Sequence, residues 1–207
     1  AVIFDLDGVI CFTDHYHYLA WKALADSLGI DFDERKNDRL RGVSRMESLE
    51  IVLEGYHGAP LSQAEKEKLA DQKNTLYRQS LQTMSPKDLS DEVRTTLNAL
   101  RARGLKLAIG SSSKNTPLIL ERIGLSGFFD AVSDGNNITR SKPDPQVFTM
   151  AAEMLRLPAE KCLVVEDALA GLQAAAGGFD SAGLGPASQS GKATHSLRSF
   201  RDLLDIT

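Results

Sequence analysis

The stretch "AVIFDLDGVI", residues 1–10, sets the terms for the rest of the chain. Ala1 to Phe4 is an apolar run of strand length, and it ends in Asp5, Asp7 and Gly8. Carboxylates crowded at one strand end repel, and taking them out of water is costly. A bound cation, a proton on one carboxylate, or both must compensate.

Working outward, three more runs read as strands: "LKLAIG" (105–110), "FDAVSD" (129–134) and "KCLVVED" (161–167). A fifth, "FDSAGLG" (179–185), carries a weaker signal. Helical patterns fall between them at 91–103, 115–124, 145–156 and 168–176. Phe148, Ala151, Ala152 and Leu155 mark one apolar helix face. Asp144-Pro145 reads as N-cap followed by first helical residue. Alternating strands and helices predict an α/β fold, a doubly wound parallel-sheet (Rossmann-like) core.

Residues 14–84 break that rhythm, with no convincing strand. Trp21, Leu24 and Leu28 form one helical stripe ended by Gly29, and 45–54 and 63–83 read as charged helices. The expectation is an inserted all-helical cap domain, 14–84, on an α/β core domain formed by 1–13 and 85–207. Segments 8–13 and 84–90 would be the hinges, and Tyr16 and Trp21 would sit in the cap core.

Composition sets the remaining bounds. The 207 residues are 42% hydrophobic and 25% charged, as expected of a globular protein. A net charge of -4 argues against a nucleic-acid partner. No apolar stretch approaches membrane-spanning length, so no membrane partner is expected. The first residues carry neither a basic n-region nor a long h-region, so no secretory signal is expected. Two cysteines, Cys11 and Cys162, make neither a disulfide framework nor a zinc site. A reducing, cytoplasmic setting follows as the expectation.

Open α/β sheets bind ligands beyond the carboxyl ends of their strands. There this chain places Asp5, Asp7, Glu166 and Asp167, a set of oxygens suited to a hard cation such as Mg²⁺. The plainer alternative is helix-capping and first-turn acids. "GSSSKN" (110–115) follows a strand and opens a helix, which is either an anion site or an over-supplied N-cap. Lys142 in "RSKPDP" is either a solvated surface residue or the counter-charge of the acids, placed to hold a transferring phosphoryl group.

"DLDGV", "SSSKN", "SKPDP" and "VEDA", in this order, resemble the haloacid dehalogenase superfamily. The resemblance implies Asp5 as the nucleophile that forms an aspartyl-phosphate. It implies Asp7 as general acid/base, also giving its backbone carbonyl to Mg²⁺. Ser111 and Lys142 would hold the transferring group, and Glu166 and Asp167 would complete the metal site. "HYHYLAWKALADSLGI", "LRGVSRMESL", "QKNTLY" and "SSSKNTPLILERIGL" are similar to the β-phosphoglucomutase family, over roughly residues 1–185. That likeness implies supporting roles for His17 and Lys73 and a second phosphate site at Arg45, Ser113, Lys114 and Asn115. Ser112 belongs to the same phosphate-binding loop, and Thr13 matches the family's hinge threonine. Without the likeness, His17 reads as a helix histidine with no role, and Lys73 and Arg45 as solvated charges.

The expected function is an isomerase interconverting β-D-glucose 1-phosphate and β-D-glucose 6-phosphate through β-glucose 1,6-bisphosphate. Its partners would be sugar phosphates, and a monomer is expected. Two alternatives stand beside it: a phosphosugar phosphatase using the same Asp5, and a non-catalytic sugar-phosphate-binding module. The chain departs from the family pattern at Cys11-Phe12, at Arg41 (commonly Lys) and at Ser112 (commonly Ala).

Overall fold

Strands β1 (Val2–Phe4), β2 (Leu107–Gly110), β3 (Ala131–Ser133), β4 (Leu163–Glu166), β5 (Asp180–Gly183) and β6 (His195–Ser196) form one sheet. In this computed structural model, which describes residues 1–40 and 43–207, they pair in parallel in the order β3-β2-β1-β4-β5-β6. Arg41, noted above, lies outside the described residues. The run at residues 1–4 is the central strand, flanked by β2 and β4. Val2 and Phe4 pack into one apolar layer with Leu97, Leu100, Leu107 and Ile109. Ile3 packs into the opposite layer with Val147, Phe148 and Val164. Burial on both faces explains why these strands read as continuous apolar runs rather than alternating ones.

Over residues 14–81 the described chain carries four α-helices and no strand: α1 (Asp14–Ser27), α2 (Glu34–Asp38), α3 (Arg45–Leu53) and α4 (Gln63–Leu81). Trp21, Leu24, Leu49, Val52 and Ala70 form an apolar cluster of their own, so Trp21 is buried core as expected. Capping boxes start α3 (Ser44 with Glu47) and α4 (Ser62 with Glu65). The far end of α4 belongs elsewhere: Tyr77 and Leu81 pack with Leu6, Val9 and Ile10 in the layer under the sheet, and partly buried Tyr16 packs there too. No described helix is long and apolar enough to cross a membrane.

The remaining helices are α5 (Asp91–Ala102), α6 (Thr116–Arg122), α7 (Gln146–Leu155), α8 (Leu169–Ala175) and α9 (Leu203–Ile206). The face of Phe148, Ala151, Ala152 and Leu155 on α7 packs on the sheet as expected. Helix α7 begins one residue later than expected. Pro145 is its N-cap, and Asp144 instead accepts a hydrogen bond from Gln146 N–H at 2.9 Å. Three of these elements were not expected: β6, the four-residue α9, and the five-residue α2, which is capped by Asp33.

The register fixes where the site falls. Phe4 stands opposite Ile109 on one side and Val165 on the other, and Asp5 N–H donates to Val165 O at 2.9 Å. The strand order reverses direction between β1 and β4, which is where an α/β sheet opens a crevice. Asp5 and Asp7 follow one wall of that crevice, and Glu166 and Asp167 the other.

Candidate active site

The strand-end acids meet as the register requires. Oxygens of Asp5, Glu166 and Asp167 lie within 4.8 Å of one another. Two glycines permit it. A Cβ on Gly8, whose φ is +87°, would stand 2.1 Å from Asp167 Oδ2, and one on Gly171 would stand 1.9 Å from the Glu166 carboxyl. Lys142 sits among the acids, 3% exposed. Its Nζ donates to Asp5 Oδ1 at 2.5 Å and to Glu166 Oε1. Burial disfavours the Lys142 charge, but Asp5 and Glu166 outweigh it and the ammonium's pKa is raised. One lysine does not neutralise three acids. Burial, joined by the Asp5 charge, pushes Glu166 up to about 7 even against Lys142. Burial and the charges of Asp5 and Glu166 push Asp167 up to about 8. Crowded oxygens held partly protonated are what a hard divalent cation would relieve, so the donor set fits such an ion.

Asp7 lies in a separate network. Its Oδ1 accepts from Thr13 N–H at 2.7 Å, while Oδ2 lies 4.0 Å from His17 Nε2. His17 Nδ1 is 2.8 Å from Lys73 Nζ. Lys73 is 3% exposed, its ammonium over the rings of Trp21 (4.5 Å) and Tyr77 (4.7 Å). The His17 ring packs on Tyr77, whose hydroxyl donates to Thr13 Oγ1 at 3.1 Å. Burial and then the Arg45 charge lower Lys73 to about 7. Burial, Lys73 and Arg45 hold His17 well below its usual value, so it is neutral. With Lys73 donating to Nδ1, the hydrogen-bond network assigns the His17 proton to Nε2, facing Asp7. Burial and the Asp14 charge raise Asp7 to about 7, against the pull of Thr13.

The loop after β2 is tied to itself. Ser111 N–H donates to Ser133 O at 3.0 Å, Ser113 N–H to Ser111 Oγ at 3.2 Å, and Asn115 N–H to Ser113 Oγ at 3.2 Å. Lys114 is exposed. Among the described residues, the buried hydroxyl of Ser112 has no hydrogen-bond partner. Across from this loop, Arg45 Nη2 donates to Asn74 Oδ1 at 3.0 Å, and Arg45 Nη1 lies 3.5 Å from Asp71 Oδ1. Asn115 Nδ2 donates to the same Asn74 oxygen at 2.9 Å, and Arg78 Nη1 donates to Asn115 Oδ1 at 3.0 Å. Arg45 and Asn115, expected to share one phosphate, are therefore linked through one amide oxygen.

Sequence reasoning did not single out Asn74, Tyr77 or Arg78. The available signal was positional: Asp71, Asn74 and Arg78 share one stripe of α4, and Tyr77 follows Lys73 by four residues. Phe12, flagged as a departure, points out and is 72% exposed between buried Cys11 and Thr13.

Parallel strands carry one carboxylate pair just past β1 and a second at the end of β4, and the comparisons give that arrangement a family. The haloacid dehalogenase-like hydrolase model matches residues 1–178, and the chain belongs to that family. Within it, the chain is 42% identical to the β-phosphoglucomutase of Bacillus subtilis (strain 168) over 175 residues, 84% of this chain and 77% of that protein. It is similar in structure to the β-phosphoglucomutase of Clostridium difficile, with a TM-score of 0.91 at 35% identity, covering 98% of this chain and 92% of that one. A phosphorylated carbohydrates phosphatase of Thermotoga maritima is 29% identical over 177 residues, 84% of this chain and 79% of that protein.

Proposed function

We propose that the protein is a Mg²⁺-dependent β-phosphoglucomutase, interconverting β-D-glucose 1-phosphate and β-D-glucose 6-phosphate. The observation that supports this reading is a pair of separate polar clusters, each suited to one phosphate, the first together with a divalent cation. One is at Asp5 with Lys142, Glu166 and Asp167, and the other is where Arg45 and Asn115 meet at Asn74. A bisphosphate intermediate needs both positions filled at once. A phosphatase needs only the first.

Mg²⁺ bound by Asp5, Glu166, Asp167 and the Asp7 carbonyl would offset the crowded carboxylates and draw charge from phosphoryl oxygens. Phospho-Asp5 passes its phosphoryl group to a hydroxyl of the sugar monophosphate, breaking the Asp5 oxygen–phosphorus bond and forming the bisphosphate; in the return step a carboxylate oxygen of Asp5 attacks the bisphosphate's other phosphorus, and that phosphorus–sugar oxygen bond breaks. Lys142 and Ser111 hold the transferring group in line. Asp7 gives its proton to the departing sugar oxygen in this direction and takes one from the attacking hydroxyl in the other. A carboxyl titrating near 7 suits both tasks. Thr13 N–H occupies Asp7 Oδ1, which leaves Oδ2 for the moving proton, with His17 and Lys73 steadying that oxygen. Arg45 with Ser113, Lys114 and Asn115 holds the phosphate that is not transferred, with Ser112 in the same loop. The bisphosphate then turns over and returns its other phosphoryl group to Asp5.

Phosphorus NMR of the protein with Mg²⁺ and β-glucose 1-phosphate tests the reading. The substrate resonance should give way to that of glucose 6-phosphate. Conversion to inorganic phosphate alone would replace the mutase with the phosphatase.

A further inference from the structure

Helix α4 brings to the site one arginine that no motif marked. Arg78 reaches across to the loop after β2 and donates from Nη1 to Asn115 Oδ1 at 3.0 Å. One turn earlier, Asn74 Oδ1 receives both Arg45 Nη2 (3.0 Å) and Asn115 Nδ2 (2.9 Å). Asn115 is 5% exposed, and both polar atoms of its side chain are thereby fixed by α4. The chain holds two guanidinium groups against one pair of neutral amides.

That arrangement is only partly compensated. Arg45 is displaced downward, first by burial and also by the Arg78 charge, with Asp71 pulling the other way. Asp71 is the acid facing it, at 3.5 Å, and its side chain is 79% exposed. Among the described residues, Arg78 makes no ion pair and remains exposed. A guanidinium has five N–H donors in a planar fork, and the bond to Asn115 uses one end of it. Converging guanidiniums around satisfied amides complement a dianion that offers several oxygens, the chemistry of a phosphate monoester.

We propose that Arg78 is a phosphate-binding residue that sets specificity for phosphorylated substrates. Together with Arg45 it grips the phosphate that is not being transferred, and its bond to Asn115 ties helix α4 to the core loop while it does so. This rests on the function proposed above for which phosphate is held. A charge-assisted bond to phosphate is part of binding in both ground and transition states, so its loss raises KM more than it lowers kcat.

The test compares Arg78→Ala and Arg78→Lys with the parent enzyme. It uses calorimetric binding of glucose 6-phosphate, turnover of β-glucose 1-phosphate, and phosphorylation of Asp5 by acetyl phosphate, which has no second phosphate. Arg78→Ala should raise Kd and KM by about tenfold or more, leave kcat within about threefold and leave the acetyl phosphate reaction unchanged. Arg78→Lys should recover part of the loss, because it keeps the charge without the fork. If Arg78→Ala does not fold, Arg78→Gln and Arg78→Lys decide the matter by the same readouts. Kd and KM within about twofold of the parent's would overturn the inference, as would equal losses with acetyl phosphate, which would make Arg78 a strut for the helix. A parent enzyme that binds glucose 6-phosphate but converts no β-glucose 1-phosphate breaks the function alone. One that binds no glucose 6-phosphate breaks both.

Discussion

At the carboxyl ends of β1 and β4, Asp5, Glu166 and Asp167 gather around the single ammonium of Lys142. On the helices opposite, Lys73 and Arg45 bear on His17 and Arg78 stands against Asn115, with exposed Asp71 as the acid beside Arg45. The shifts mirror this. The core acids are pushed up, Glu166 to about 7 and Asp167 to about 8, while Lys73 on the cap side is pushed down to about 7. Each region is short of opposite charge, and the two shortages differ in sign. A sugar phosphate accompanied by a divalent cation supplies both. Asp7 sits between them, held by Thr13 at one oxygen and facing His17 at the other.

The largest effect expected lies on the core side. Asp5→Asn keeps size and removes the attacking oxygen's charge, so turnover should fall by several orders of magnitude and no phosphorylated peptide should be trapped. Near-native turnover would remove the nucleophile from the account. Chelation comes next: activity should vanish in excess chelator and return with Mg²⁺ better than with Ca²⁺. Asp167→Asn should raise the Mg²⁺ concentration giving half activity by more than about tenfold. Full activity in excess chelator would break the core half of the comparison.

Smaller effects separate the cap half. Arg45→Ala should cost mutase turnover about 1.5–3 kcal/mol, roughly ten- to a hundredfold, yet spare phosphorylation of Asp5 by acetyl phosphate. Equal loss in both assays would place Arg45 in cap positioning only. Lys73 gives the most distinctive signature, one read in stability rather than in turnover. Between about pH 7, its folded value, and its ordinary 10.5, the unfolded chain carries a proton that the folded protein has shed. Stability therefore rises with pH across that window, by up to about 1.4 kcal/mol per unit. Denaturant titrations of the parent and Lys73→Met at pH 7 and pH 9 should show the parent gaining on the variant. A gap that stays constant or shrinks would mean Lys73 is charged in the folded protein.

The core was the more legible half. Buried parallel strands write themselves as apolar runs, and their polar ends mark the site directly, so Asp5, Glu166 and Lys142 could be named before any geometry. Strand β6 was missed because two residues, His195 and Ser196, carry no pattern. Helix α2 was missed because five charged and polar residues show no buried face. The cap-side site was legible only by likeness. Asn74 and Arg78 lie on a stretch that reads only as a charged helix, and their approach to Asn115, 41 and 37 residues away in sequence, gives them a part. The loop after β2 reads in sequence as either an anion site or an over-supplied N-cap, and in the structure the Ser113 and Asn115 N–H groups are bonded to the hydroxyls of Ser111 and Ser113. Spacing cannot distinguish a hydroxyl that binds a ligand from one that ties a turn.

The central claim is that phospho-Asp5 passes its group to a sugar rather than to water, because a bound sugar phosphate completes the cap side and shuts water out. The direct measurement is to phosphorylate the enzyme, divide the sample, and follow decay of phospho-Asp5 with and without glucose 6-phosphate. Decay should be on the order of a thousandfold faster with the sugar, a barrier difference of about 4 kcal/mol, with β-glucose 1,6-bisphosphate as the first product. Inorganic phosphate as the main product with the sugar present would contradict it.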